Sequence, residues 1–169
     1  NITTLNVTAS GSPSDITVSG LGAGDKLNIK GSADITVNVA SNFNNVFIDA
    51  SQNTGVVTLR LDNVDYAPIA DARLNGVDKI VIFGGKTLNL SSQTEGFDIT
   101  GSIGNDTIHD SKGDSVINGG AGDDTIILLA GTDTVTGGKG NDTFVFTDFS
   151  SVDKITDFSS VDDTIRLDL

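Results

Sequence analysis

The sequence predicts an all-β fold, an elongated right-handed parallel β-solenoid. Three observations lead there. Short runs of alternating apolar residues dominate, and helical periodicity is hard to find. These runs begin about every 9 to 11 residues through much of the first half. From Gly101 onward the period locks to nine for five consecutive units. Such spacing suits the coils of a solenoid, although a β-sandwich also uses evenly spaced short strands.

The strands follow in order. "TLNV" offers Leu5 and Val7, "DITV" Ile16 and Val18, and "KLNI" Leu27 and Ile29. "DITVNV" adds Ile35, Val37 and Val39, and "VVTLRL" adds Val57, Leu59 and Leu61. Each run is bounded by Gly, Ser, Asn or Asp, the residues that end strands and make turns. "DNVDYAPIADARLNGVDK", 62–79, breaks the rhythm and is expected to be a loop or short helical excursion and an internal boundary. Strands resume at "KIVIF", "KTLNL" and "GFDIT". Three regions are expected: a metal-poor solenoid over 1–97, a roll over 98–146, and a C-terminal cap over 147–169.

Charge separates the regions. Of 23 acids, Glu95 is the only Glu, and ten bases leave a net charge of −13. Residues 98–169 hold 14 Asp against Lys112, Lys139, Lys154 and Arg166, a net of −10, whereas residues 1–97 carry nine acids and six bases. Asp suits turns and short-armed oxygen ligation of hard cations, while Glu favours helices. Nucleic acid is excluded as a partner, because phosphate binding needs clustered Lys and Arg. No apolar run approaches the roughly 18–20 residues of a membrane helix. With no Cys, disulfides and thiolate metal sites are excluded, so bound metal is a candidate source of stability. The chain starts at Asn1 and holds no Met, which predicts a piece of a longer protein.

The five units are GSIGNDTIH (101), DSKGDSVIN (110), GGAGDDTII (119), LLAGTDTVT (128) and GGKGNDTFV (137). The fourth residue is always Gly: Gly104, Gly113, Gly122, Gly131, Gly140. The eighth is always apolar: Ile108, Ile117, Ile126, Val135, Phe144. Glycine turns the chain tightly and lets its carbonyls approach an ion, the sixth-position Asp supplies a carboxylate, and the eighth residue starts a strand pointing into a narrow core. Two units make a coil of eighteen residues. Coils stack at about 4.8 Å, so units one coil apart share a side and a cation can sit between their turns. The units at 101, 119 and 137, with Asp106, Asp124 and Asp142, form the well-kept side, expected to hold two good inter-turn sites. The other side is poorer: Ser115 replaces Asp in one unit, and Leu128 and Leu129 replace glycines in the next, leaving Asp114 and Asp133. Oxygen donors from a flexible turn favour Ca²⁺ over Mg²⁺, and a lone His109 without Cys argues against Zn²⁺.

These units resemble the nonapeptide repeats of RTX proteins, which Gram-negative bacteria secrete through type I machinery. The resemblance implies a parallel β-roll that holds Ca²⁺ and is extracellular. On that pattern the candidate ligands on the well-kept side are Gly101, Ile103, Gly104 and Asp106, then Gly119, Ala121, Gly122, Asp123 and Asp124, then Gly137, Lys139, Gly140 and Asp142. "DKITDFSSVDDTIRLDL", 153–169, is similar to the segment that commonly follows such a roll, with Val161 where Gly is usual, and adds Asp153, Asp157 and Asp163. "TDFSSVD" also occurs twice, at 147 and 156, a nine-residue step. "ITTLNVTASG" and "LNGVDKIVI" are similar to segments of RTX-type bacterial surface-layer proteins.

The resemblance implies a structural, non-enzymatic role as the C-terminal region of a surface-layer protein, exported by type I machinery and folding on Ca²⁺ outside the cell. Its partners would be other copies in a surface lattice and the secretion machinery, with cell-surface lipopolysaccharide reached through parts outside this chain. Two alternatives stay open: the calcium and secretion module of an RTX protease or lipase, and an RTX adhesin module. Neither HExxH nor GxSxG occurs in the chain. His109 reads as an outward side chain at a variable repeat position. Phe144, Phe146, Phe149 and Phe158 read as a cap over the roll's open end.

Overall fold

The computed structural model describes residues 4–19, 21, 24–39, 46–62 and 74–168. Every regular element among them is a strand, and every strand pairing is parallel. An eight-stranded sheet stacks β2 (Ser14–Val18), β4 (Ile35–Val39), β6 (Val57–Asp62), β8 (Lys79–Phe83), β10 (Asp98–Thr100), β12 (Val116–Ala121), β14 (Thr134–Lys139) and β16 (Lys154–Ile155) in chain order. The alternate strands form two further sheets. One holds β1 (Thr4–Ala9), β3 (Lys26–Gly31), β5 (Phe47–Asn53) and β7 (Leu74–Asn75). The other holds β9 (Thr87–Asn89), β11 (Thr107–His109), β13 (Thr125–Leu128), β15 (Thr143–Phe146) and β17 (Thr164–Leu167). Consecutive strands therefore lie in opposite sheets and pair one coil away. That is a β-solenoid; the hairpins of a sandwich would pair antiparallel.

The core consists of columns of one apolar residue per coil. Ile16, Val37, Leu59, Ile80, Ile99, Ile117, Val135 and Ile155 stand in register along the eight-stranded sheet. On the opposite side Leu5, Leu27, Ile48 and Leu74 form one column. Leu88, Ile108, Ile126, Phe144 and Ile165 form another. All five eighth-position apolar residues of the nonapeptides are buried. Each fully buried Ile, Leu or Phe contributes roughly 1.5–3 kcal/mol relative to exposure, so the columns hold the stack together coil by coil.

Coil length changes along the stack. Ser14, Ile35 and Val57 are in register 21 and 22 residues apart, whereas Thr107, Thr125 and Thr143 are 18 apart. At the end the step widens again, to 20 between Thr134 and Lys154 and 21 between Thr143 and Thr164. The two "TDFSSVD" copies therefore do not continue the eighteen-residue coil; the extra residues enlarge the turns at 148–153 and 157–163. Of the 62–79 excursion, 63–73 lie outside the described residues, while Leu74–Asn75 pair with β5 at Ile48 and Asp49.

β12 and β14 run on through the glycine pairs that open the next repeat. Gly120 and Gly138 sit there at φ 110° and 108°, and a Cβ on Gly138 would collide with the Gly120 carbonyl. Gly138→Ala combines a left-handed penalty of about 1–2 kcal/mol with an overpacking cost of about 1–3 kcal/mol. Chemical denaturation in saturating Ca²⁺ should show a loss of that combined size. A change under about 0.5 kcal/mol, typical of a neutral surface site, would contradict the packing of these turns.

Candidate metal centre

The turns 101–106, 119–124 and 137–142 stack on one side of the roll. Their sixth-position acids form a ladder in which each carboxylate receives a backbone N–H from the preceding coil. Lys86 N–H donates to Asp106 Oδ1 (2.7 Å), Asp106 N–H to Asp124 Oδ1 (2.8 Å), Asp124 N–H to Asp142 Oδ1 (2.9 Å), and Asp142 N–H to Asp163 Oδ1 (2.9 Å). One oxygen of each acid thus fastens a coil to its neighbour. The second oxygen turns back into its own turn. Asp106 Oδ2 accepts from Ser102 N–H at 2.7 Å, but Asp124 Oδ2 is buried with no hydrogen-bond partner. A Cβ on Gly119 would lie 2.5 Å from Asp124 Oδ2, so glycine at the first position keeps that space open.

A second, outer ladder uses the fifth positions. Asp123 N–H donates to Asn105 Oδ1 and Asn141 N–H to Asp123 Oδ1, both at 2.9 Å. Asp123 is exposed. Ile103 and Lys139 have exposed side chains, so either could reach an ion only through its carbonyl. The Lys139 carbonyl accepts from Gly122 N–H at 2.7 Å, tying two of the candidate turns together. Gly101, Gly104, Ala121, Gly137 and Gly140 lie in the same three stacked turns.

On the other side, Asp133 is buried, and Asp133 Oδ1 accepts from Ser115 N–H at 2.8 Å. Asp114 is exposed and accepts from Thr132 N–H at 2.8 Å. Asp153 Oδ1 accepts from Asp133 N–H at 3.0 Å. Asp157 uses both oxygens on backbone donors, Gly137 N–H and Gly138 N–H (2.9 and 2.8 Å), and Asp163 likewise serves Asp142 and Ser159. The last two thus cap donors at the end of the stack. Asp110 was not among the sequence candidates, yet it is fully buried on this side beside Asp133. The one signal for it is an acid at the first position of a repeat that lacks one at the sixth.

The electrostatics are those of buried like charges. Burial, reinforced by the charges of Asp106, Asp142 and Asp123, pushes the Asp124 carboxyl up to about 6. Burial raises Asp142 as well. Burial and the neighbouring Asp133 push Asp110 up to about 8, and Asp133 itself is raised by burial. None of the ion pairs Lys26–Asp49, Lys79–Asp98 and Arg166–Asp168 reaches these acids. Without metal, the folded state therefore binds more protons than the unfolded chain. The resulting stability is full below the ordinary carboxylate value of 3.8 and is lost as pH rises through about 6 and about 8. In chelator, acidification from about pH 8 to about 5 should raise the β-content. A fall over that range would contradict the burial of these acids.

Among the described residues no three carboxylate or imidazole side chains converge as a ready-made metal cluster. An ion here would take only one or two carboxylates and complete its shell from carbonyls. That all-oxygen donor set, the glycine-kept space at Gly119 and the orphaned Asp124 Oδ2 fit a hard cation such as Ca²⁺. Residues 100–135 and 128–145 match the family described as RTX calcium-binding nonapeptide repeat (4 copies). No curated protein matches the chain. Proteins with such repeats are typically secreted, and the repeat module is a structural calcium-binding region rather than a catalytic one. The stacked turns of 100–145 are thus calcium-binding nonapeptide repeats of the RTX type.

Proposed function

We propose that the chain is a structural region of a bacterial surface-layer protein, exported by a type I system, whose roll folds on Ca²⁺ outside the cell and so permits lattice assembly. The observation that carries the ion-coupled step is the acid ladder, Asp106, Asp124, Asp142 and Asp163, in which a buried carboxylate oxygen of Asp124 has no donor. In a calcium-poor cytoplasm these acids repel one another and the roll stays open, a form able to thread a secretion channel. Outside, Ca²⁺ at about 10⁻⁴–10⁻³ M matches the affinity range of extracellular modules, and its binding free energy becomes folding free energy. Asp124 and Asp142, with carbonyls of the 101–106, 119–124 and 137–142 turns, would hold the ions on the well-kept side.

The lattice role is supported by the Ser/Thr/Asn-rich first half, whose surface-layer-like segments supply β1 and β8. The eight-stranded sheet then carries these coils into the acidic roll, so calcium-ordered coils would template their neighbours. The purified chain, mixed with millimolar Ca²⁺ and imaged by negative-stain electron microscopy, should form ordered sheets that chelator disperses. Monodisperse particles under all calcium conditions would refute assembly by this region. HExxH or GxSxG elsewhere in the parent protein would favour the hydrolase-module reading instead.

A further inference from the structure

The second side of the roll departs from the repeat pattern, and the departure is compensated. Ser115 stands at the sixth position of the 110–115 turn, where the opposite side carries Asp, and Asp110 stands at the first position, where that side carries Gly. On the well-kept side these two positions share one space: a Cβ at Gly101 or Gly119 would lie 3.0 or 2.5 Å from the sixth-position Oδ2 of its own turn. One carboxylate fits there, from either end of the turn. In 110–115 it comes from the first residue, and the small Ser115 leaves it room.

The resulting pocket is buried and short of donors. Asp110 and Asp133 are both 0% exposed. Asp110 Oδ1 accepts from Ser111 N–H at 2.6 Å and Asp133 Oδ1 from Ser115 N–H at 2.8 Å. The other oxygen of each, Asp110 Oδ2 and Asp133 Oδ2, is buried with no hydrogen-bond partner, and Asp133 stands near enough for its charge to act on the Asp110 carboxyl. The Ser111 and Ser115 hydroxyls are 3.2 Å apart and both reach the Gly113 carbonyl. A Cβ on Gly131, one coil on, would lie 2.7 Å from that carbonyl, which places the oxygen between the coils. Burying an uncompensated charge is strongly unfavourable, and two neighbouring carboxylates add their repulsion. A divalent cation answers both.

We propose that Asp110 and Asp133 form a further Ca²⁺ site between the 110–115 and 128–133 turns, with the first-position acid doing the work of the missing sixth-position one. The inference rests on the calcium reading of the roll but concerns the side whose repeat pattern is broken. The donors at this site are all oxygen, with no thiolate and no imidazole, and the irregular placement of two carboxylates from successive coils suits Ca²⁺ better than the strict octahedron of Mg²⁺.

Calorimetric titration of the full chain with Ca²⁺ tests this by ion count. Asp110→Gly, which installs the residue of the well-kept turns, is expected to bind one ion fewer than wild type. Asp110→Gly/Ser115→Asp, which returns the acid to the sixth position, is expected to regain it. Asp124→Asn should lose binding on the opposite side whatever stands at 110. Circular dichroism in saturating Ca²⁺ checks that each variant folds, and Asp110→Asn, which keeps the side chain's shape, serves for the count if Asp110→Gly does not. An unchanged count in the Asp110 variant, with binding lost in Asp124→Asn, would overturn this site and leave the calcium roll standing. A double variant still one ion short would overturn the exchange of positions. A wild-type chain that binds no Ca²⁺ would overturn both readings.

Discussion

Chelation is expected to unfold the acidic half of the solenoid from its end inward, while the first coils keep their strands. Residues 98–169 carry 14 Asp against four bases, and Asp106, Asp110, Asp124, Asp133 and Asp142 are buried. A site at a hundredfold excess of Ca²⁺ over its dissociation constant stabilises the fold by about 2.7 kcal/mol. Two such sites already reach the lower end of the ~5–15 kcal/mol that holds an ordinary domain together. Removing them therefore takes away stability of the same order as that of a whole domain. In a solenoid each coil depends mainly on its neighbours, so melting should run from β17 back towards β10 and slow where the Leu27, Ile48 and Leu74 column takes over. Hydrogen exchange should show protection lost over 98–168 in chelator and kept at β3 to β6, with circular dichroism recording a partial fall in β-content. Ca²⁺ should restore both, and Mg²⁺ at equal concentration should restore less. An unchanged spectrum and exchange pattern in chelator would refute calcium-coupled folding.

The strands were legible in the sequence wherever alternation was clean, as in "TLNV", "DITV" and "KLNI", which become β1, β2 and β3. Their parallel stacking was legible only from the period, because alternation alone does not distinguish a solenoid coil from a hairpin. β5 and β7 are harder to see. β5, "FIDASQN", mixes core residues with acid and amide, and its register with β3 shifts between Asn28 and Lys30. β7 is two residues whose pairing exists only because β5 lies beneath them. The run of β12 and β14 through Gly-Gly contradicts strand propensity; the close approach of successive backbones, which excludes a Cβ, decides it. Among the four C-terminal phenylalanines read as a cap, Phe144 is instead a fully buried rung of the core, Phe149 is exposed, and Phe158 leans on Phe144 at a ring separation of 6.3 Å.

The metal centre was legible to the extent that it is periodic. A fixed step of nine aligns Asp106, Asp124 and Asp142 on one side, and the structure stacks them there through N–H to carboxylate bonds. What the sequence could not express is how each acid divides its two oxygens. Asp157 resembles a ligand by position, yet both its oxygens serve backbone donors of the preceding coil. Asp110 breaks the repeat pattern and so escapes a reading based on it, although burial and an unpartnered oxygen make it the counterpart of Asp124. His109 is partly buried beside Asn89 and Ile127, and burial lowers its pKa. It alternates with buried Ile108 and so stands on the outer face of β11, as its variable repeat position suggested.

Phe144→Ala is expected to cost about 3–5 kcal/mol, the usual range for deleting a buried aromatic ring. Phe144 is the last fully buried rung of its column: Ile126 precedes it in register, and Ile165, which follows, is half exposed. Its ring lies beneath Gly137, where an added Cβ would come within 2.9 Å of Cζ, and supports Phe158 from below. Truncation leaves a cavity under the 137–142 turn and removes the platform on which 158–167 rests, so β17 should detach first. Asp142 stands two residues before Phe144, so a turn that has lost its floor holds its carboxylate less firmly. The variant should consequently need more Ca²⁺ to fold, by roughly tenfold for each 1.4 kcal/mol that a single site must make up. Ile103→Ala is the matched control, because Ile103 is 89% exposed and contributes at most a carbonyl; it should change stability by less than about 0.5 kcal/mol. Equal midpoints for the two variants in a calcium titration followed by circular dichroism would mean that the roll is held by its ions alone. A large shift confined to Phe144→Ala would mean that ions and core close the same turn together.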